Sequence, residues 1–184
     1  MSQNQDFRQS FHSNQEQVRR LARLAMLFAL ALVFSWFEGL LPTFMPIPVR
    51  YGLSNIPVMF CILSLGLPSA VLLALFKSAF VLFTRAAMAA SLSLAGGICS
   101  VIVMYYADHL FKEKLSYILL SVLGAIAHNL AQFFLVLALF NTGAKAVVYG
   151  LLPPLIIFGI FSGVITGFAL HAVLPLVNKA AEKD

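Results

Sequence analysis

Long apolar runs, broken by short polar or proline-bearing stretches, fill the chain from about residue 21 to residue 177. The first, 21–41, has the length of a helix crossing a bilayer core of roughly 30 Å. It ends at Pro42-Thr43-Phe44-Met45-Pro46-Ile47-Pro48, where three prolines rule out a continuing helix. That stretch reads as a structured, apolar loop lying against the membrane or over a pocket. The next run, 52–83, contains one charge, Lys77. As a single helix it would measure about 48 Å, too long for one crossing. Gly66-Leu67-Pro68 at its centre supplies a turn, so the pattern predicts two short spans, 52–66 and 68–83. Span 4 covers 86–107, with Ser91, Ser93, Gly96, Gly97 and Ser100 permitting close helix packing. A charged connection at 108–114 follows, then span 5 over 115–140, closed by Asn141-Thr142-Gly143. Pro153-Pro154 suits the first turn of span 6, 155–177, and 144–152 reads as a short interfacial segment.

The expected fold class is therefore all-α, a polytopic membrane bundle of six transmembrane helices in one domain, 21–177. Polar tails flank it: a disordered or interfacial one at 1–20 and a short one at 178–184. Composition agrees. Apolar residues make up 61% of the chain and charged residues 10%, against about 25% charged in soluble domains. The net charge of +5 does not point to nucleic acid, because the basic residues sit mainly at span ends and face headgroups of the lipid bilayer. With both termini inside, Arg8, Arg19, Arg20, Arg23, Lys112, Lys114, Lys179 and Lys183 are cytoplasmic and Arg50, Arg85 and Lys145 are outside. Eight against three follows the positive-inside rule, and places the protein in a bacterial cytoplasmic membrane with cytoplasmic termini. Cys61 and Cys99 fall within apolar runs without metal-ligand spacing and read as small buried hydrophobes.

Ionisable and polar groups at membrane depth cost several kcal/mol unless satisfied, so each needs a reason. Glu38, in the outer third of span 1, either pairs with Arg50 or Arg85 or contacts a ligand or cation. Lys77 either snorkels, neutralises Glu38 across the bundle, or receives an anionic substrate group. His128, Asn129 and Gln132 share a face of span 5, pointing to interhelical hydrogen bonds or to a wet cavity that Asn55 joins from the facing side. Arg50 and Arg85, at the outer edge, are topology residues or a clamp for phosphate or carboxylate. Trp36, Phe37, Phe44 and Tyr51 form an interfacial belt or the walls of a site for a planar ring. The chain has no Gly-rich nucleotide loop and no HExxH, and its three aspartates, Asp6, Asp108 and Asp184, are far apart. Nothing in it gathers carboxylates for magnesium-diphosphate chemistry, and no catalytic or metal-binding residue is expected.

Four segments carry a resemblance: Glu38-Gly39-Leu40-Leu41-Pro42, Arg50-Tyr51-Gly52-Leu53-Ser54-Asn55-Ile56, Ser93-Leu94-Ala95-Gly96-Gly97-Ile98-Cys99-Ser100 and Gly124-Ala125-Ile126-Ala127-His128-Asn129-Leu130-Ala131-Gln132. In this order, over about 20–175, they resemble the Gx transporter family, whose members are often labelled heptaprenyl diphosphate synthase component I. That family is similar to the substrate-binding S components of energy-coupling factor vitamin transporters. The resemblance implies a six-helix bundle with a pocket near the outer face, partly closed by the loop between spans 1 and 2. It further implies a flavin as the transported small-molecule ligand rather than a bound cofactor. Other transporter or electron-transfer subunits would be its partners, and Gly96-Gly97 offers a surface where two copies could approach closely as a homodimer. The synthase label implies instead a non-catalytic partner of a polyprenyl diphosphate synthase.

Overall fold

The computed structural model describes residues 2–40, 52–111, 115–140 and 144–181. The Pro-rich stretch 42–48, Arg50 and Tyr51, residues 112–114 of the charged connection and the closing 141–143 lie outside the described residues. Six helices follow one another: α1 (Ser2–Leu40), α2 (Asn55–Leu65), α3 (Leu67–Thr84), α4 (Ala87–Phe111), α5 (Tyr117–Phe140) and α6 (Ala144–Ala181). Five carry stretches long and apolar enough to cross a membrane. The exception is α2, whose 11 residues span about 16 Å, half a bilayer core. The run 52–83 is thus divided as expected, at Gly66, but unequally. Gly66 takes φ +82°, which a residue with a side chain rarely adopts, and its N–H closes α2 on the carbonyls of Cys61 and Ile62.

Two helices run further than the sequence reading places them. The polar stretch at 1–20 is helical from Ser2 onward. It holds no proline or glycine, and its Gln, Arg and Glu residues are good helix formers. Residues 144–152 are likewise helical, and α6 passes through Pro153 and Pro154 without ending. A proline inside a helix removes one N–H bond and crowds the preceding turn, which membrane bundles tolerate when neighbouring helices re-satisfy the backbone. At α5 the start is conventional: Ser116 accepts the Leu119 N–H at its hydroxyl (3.2 Å) and the Leu120 N–H at its carbonyl (3.0 Å).

The helices α2 to α6 close a ring in which each packs on the next and α6 returns to α2, while α1 lies outside against α2 and α3. The ring is divided along its axis. Leu27, Cys61, Ile62, Ala70, Leu73, Val101, Met104, Leu120 and Leu170 form an apolar core in the half that holds the α2–α3 turn. The opposite half, where α1, α3 and α5 end, holds buried Glu38, Ser54, Lys77, Ser93, His128, Asn129, Gln132 and Ser162. The outward surface is apolar: Met26, Phe134, Ile157 and Phe161 are each more than half exposed. Such a surface is stable only in lipid, and the chain is an integral membrane protein.

Glycine sets the closeness of the α5–α6 seam. Gly159, Gly163 and Gly167 recur every fourth residue and line one stripe of α6. A Cβ added at Gly163 would lie 2.5 Å from the Val122 Cα, and one at Gly167 2.5 Å from the Ile118 Cα. Backbone is the obstacle at both, so no rotamer change relieves the clash. Gly163→Ala should destabilise the protein by about 1–3 kcal/mol, read as a lower melting temperature in detergent. Gly150→Ala, where an added methyl meets nothing within 4 Å, should not.

Candidate functional site

The polar half begins with a tight turn ahead of α2. Gly52 sits at φ +79°, and the Gly52 and Leu53 carbonyls accept the N–H groups of Asn55 (2.9 Å) and Ile56 (3.1 Å). Glycine is required here twice over. The backbone is left-handed, and a Cβ would strike the Ser162 hydroxyl of α6. The turn aims Ser54 at α1. Its N–H donates to Glu38 Oε1 (3.0 Å) and its hydroxyl donates to Glu38 Oε2 (3.1 Å). A carboxylate borrowed from α1 thus sits at the positive N-terminus of α2, where an anion is favoured.

Lys77 completes the cluster from α3. Only 1% of its surface is exposed, and its ammonium donates to the Ser54 hydroxyl (3.3 Å) and to Asn55 Oδ1 (3.1 Å). One serine oxygen therefore accepts from the cation and donates to the anion. Lys77 and Glu38 are linked through Ser54, in a protein interior where neither charge is stable alone. Lys77 lies two turns from the end of α3, about 10 Å down the helix.

A second cluster lies between α4, α5 and α6. The Gln132 amide nitrogen donates to the Leu92 carbonyl of α4 (3.3 Å) and lies 3.0 Å from His128 Nε2. His128 needs Gly96: a Cβ there would come within 2.7 Å of the imidazole. Asn129 turns the other way, its amide nitrogen donating to the Leu155 carbonyl of α6 (2.9 Å), just beyond the two prolines. The three residues that the helical spacing puts on one face therefore divide, His128 and Gln132 toward α4 and Asn129 toward α6.

Arg85, between α3 and α4, reaches back to α1 and donates to the Ser35 carbonyl (2.8 Å). Gly39 leaves the room, since a Cβ there would collide with the guanidinium. Of the expected site residues, the structure joins Glu38, Asn55 and Lys77 in one cluster and His128 with Gln132 in another. It sets Asn129 and Arg85 apart on their own carbonyls, and Arg50 is outside the described residues. Trp36 and Phe37 are about half exposed on the outer surface of α1, the position of a belt rather than of a pocket wall. Sequence reading missed Ser54, which only the turn at Gly52 brings under Glu38. It also missed the pairing of Gly52 with Ser162, though the isolated glycine ahead of α2 was a visible signal.

The model of the family described as heptaprenyl diphosphate synthase component I matches residues 27–173. Among solved structures, the S component of a bacterial ECF transporter superposes with a TM-score of 0.65 at 19% sequence identity, over 90% of this chain and 98% of that one. The shared fold is the six-helix arrangement described above. No curated protein matches.

The Glu38–Ser54–Lys77 linkage makes a sharp stability prediction. Lys77→Met leaves the buried Glu38 carboxylate without the cation linked to it through Ser54 and should cost about 3–5 kcal/mol, measured by SDS-titrated unfolding. Adding Glu38→Gln to that variant should recover most of the loss, because the stranded charge is gone. Additive losses would show that the two residues act separately.

Proposed function

This chain belongs to the heptaprenyl diphosphate synthase component I family, and from that membership and its S-component fold we propose that it is the substrate-binding subunit of a membrane transporter. Its ligand is a small molecule, with a flavin as the leading candidate, and it acts in the bacterial cytoplasmic membrane with both termini in the cytoplasm. The observation that carries the reading is the gathering of the buried charged, imidazole and carboxamide groups Glu38, Lys77, His128, Asn129 and Gln132 into one half of the bundle, while the other half buries the hydroxyls of Ser69, Ser121 and Thr166. Helix packing alone gives no reason for such segregation, whereas a ligand entering from one side does. The solved neighbour is itself named as the S component of an ECF transporter, which supports the same role.

We place the site between α1, α3, α4 and α5, with His128 and Gln132 at its floor and Asn55 opposite, while Asn129, bonded to the Leu155 carbonyl of α6, borders it from the other side of α5. Glu38, Arg50 and Arg85 line its mouth, and Lys77 stands behind Glu38. A flavin suits such groups: its ring edge alternates amide and carbonyl positions that asparagine and glutamine complement, and a phosphorylated form would meet Arg85 or Arg50. The chain carries no nucleotide-binding loop, so an ATP-driven step would fall to other subunits.

The family's description favours a second reading, a membrane partner of a polyprenyl diphosphate synthase. In that role the chain is non-catalytic. Magnesium-dependent prenyl transfer needs clustered carboxylates, and among the described residues no three His, Cys, Asp or Glu side chains gather.

Two measurements test this. The purified chain in detergent should quench flavin fluorescence on titration. Gln132→Leu should weaken binding by about 1–3 kcal/mol, while Arg85→Gln should harm FMN binding more than riboflavin binding. Both variants must first elute as monodisperse species. A folded chain that ignores flavins and retains a prenyl diphosphate would replace this reading with the second. For topology, single cysteines beside Arg85 should react with an impermeant reagent in intact cells. Labelling of a cysteine at Lys112 from outside would overturn the orientation.

A further inference from the structure

At the end of the bundle away from the polar half, α1 carries Glu16, Arg19, Arg20 and Arg23 at spacings of three, four and seven, one stripe of the helix. The stripe faces the α2–α3 turn. Arg20 bridges the gap, donating to the Leu65 carbonyl (3.1 Å) and to the Ser69 hydroxyl (3.2 Å). Between helix and turn lies a cleft of about 420 Å³, lined by Glu16, Arg19, Arg20, Arg23, Ser64 and Leu65. Three guanidiniums stand against one carboxylate there, so the cleft carries net positive charge.

We propose that this cleft binds the phosphate headgroup of an anionic phospholipid. Charge and shape fix the headgroup. Arginine forks pair with phosphate oxygens bidentately, and basic clefts between membrane helices at the headgroup level select anionic lipids. The surroundings fix the source as a lipid rather than free phosphate. From the arginines toward the bilayer centre, on the side of Arg19, α1 exposes Met26 (59%), Leu30 (44%) and Val33 (48%). These residues offer acyl chains an apolar track that begins at the charged cleft. Arg20, fixed by its two bonds to the turn, is the preorganised member, while Arg19 and Arg23 are exposed beside it. A headgroup held there would tie α1 to the α2–α3 turn, joining the helix outside the ring to the ring itself. The inference is independent of what the polar half binds.

The test uses the full chain in neutral detergent, titrated with dioleoyl phosphatidylglycerol or dioleoyl phosphatidylcholine, with bound lipid counted by native mass spectrometry. Phosphatidylglycerol should be retained preferentially. Arg19→Gln with Arg23→Gln should weaken that retention about 30-fold, the effect of removing two cations near an anionic headgroup. Arg20 is left intact because it also holds the turn. In nanodiscs the unmodified protein should melt higher in phosphatidylglycerol than in phosphatidylcholine, and the double variant should lose that difference. Equal retention of the two lipids, or a double variant indistinguishable from the parent, overturns the proposal. Displacement of phosphatidylglycerol by millimolar inorganic phosphate would assign the cleft to a free anion and overturn the lipid.

Discussion

A bilayer core supplies no water, so every buried polar atom must find its partner within the chain. In this protein the demand is greatest where α1, α2 and α3 meet. Glu38 and Lys77 are both buried there, and the Ser54 hydroxyl stands between them, accepting from one and donating to the other. Removing any of the three leaves a charge or a hydroxyl stranded in a medium that penalises it. The cluster also anchors α1, which lies outside the ring of the other five helices, since Glu38 holds the N-terminus of α2 through the Ser54 N–H. Arg85 adds a second tie at the same end, and Arg20 ties the opposite end. Three polar fastenings thus join α1 to α2, α3 and the turn that follows α3.

The rest of the ring is held differently. Between α5 and α6 the helices approach until glycine is the only residue that fits, at Gly163 and Gly167. Lipid tails are as apolar as leucine, so association within the bilayer rests on close packing and on hydrogen bonds across the seam. Both occur here: the glycine stripe lies beside the Ser121–Thr166 hydroxyl contact and the Asn129 bond to the Leu155 carbonyl. The α5–α6 seam thus rests on glycine-mediated packing, while α1 joins the bundle through its polar ties together with Leu27 in the apolar core.

The gathering of charged, imidazole and carboxamide groups into one half of the bundle links fold to proposed function. Most of the polar groups described are engaged with one another or with helix carbonyls, as a bilayer interior requires. A ligand would exchange for those partners group by group rather than fill an unsatisfied site. Asparagine and glutamine are suited to that, because a carboxamide presents a donor and an acceptor on one planar group.

Much of this was legible in the sequence. Hydropathy alone fixes the membrane class and the number of helices, because a run of apolar residues has few stable alternatives in lipid. Gly66 marks the α2–α3 break, since few other residues accept its backbone angle. Charge at membrane depth singles out Glu38 and Lys77 as partners in need of partners. Helix ends were less legible: α1 and α6 run beyond their apolar cores, because nothing in 1–20 stops a helix and prolines at 153 and 154 do not end one inside a bundle. What only the tertiary structure decided is which group meets which. Ser54 is an ordinary serine in the sequence and becomes the link between two charges because Gly52 turns the chain under α1. His128, Asn129 and Gln132 share a helical face by spacing, yet they serve two different neighbours, because α4 and α6 flank α5 on either side. Periodicity assigns a residue to a face, but a partner is set by how six helices pack at once, and no local pattern in the chain contains that.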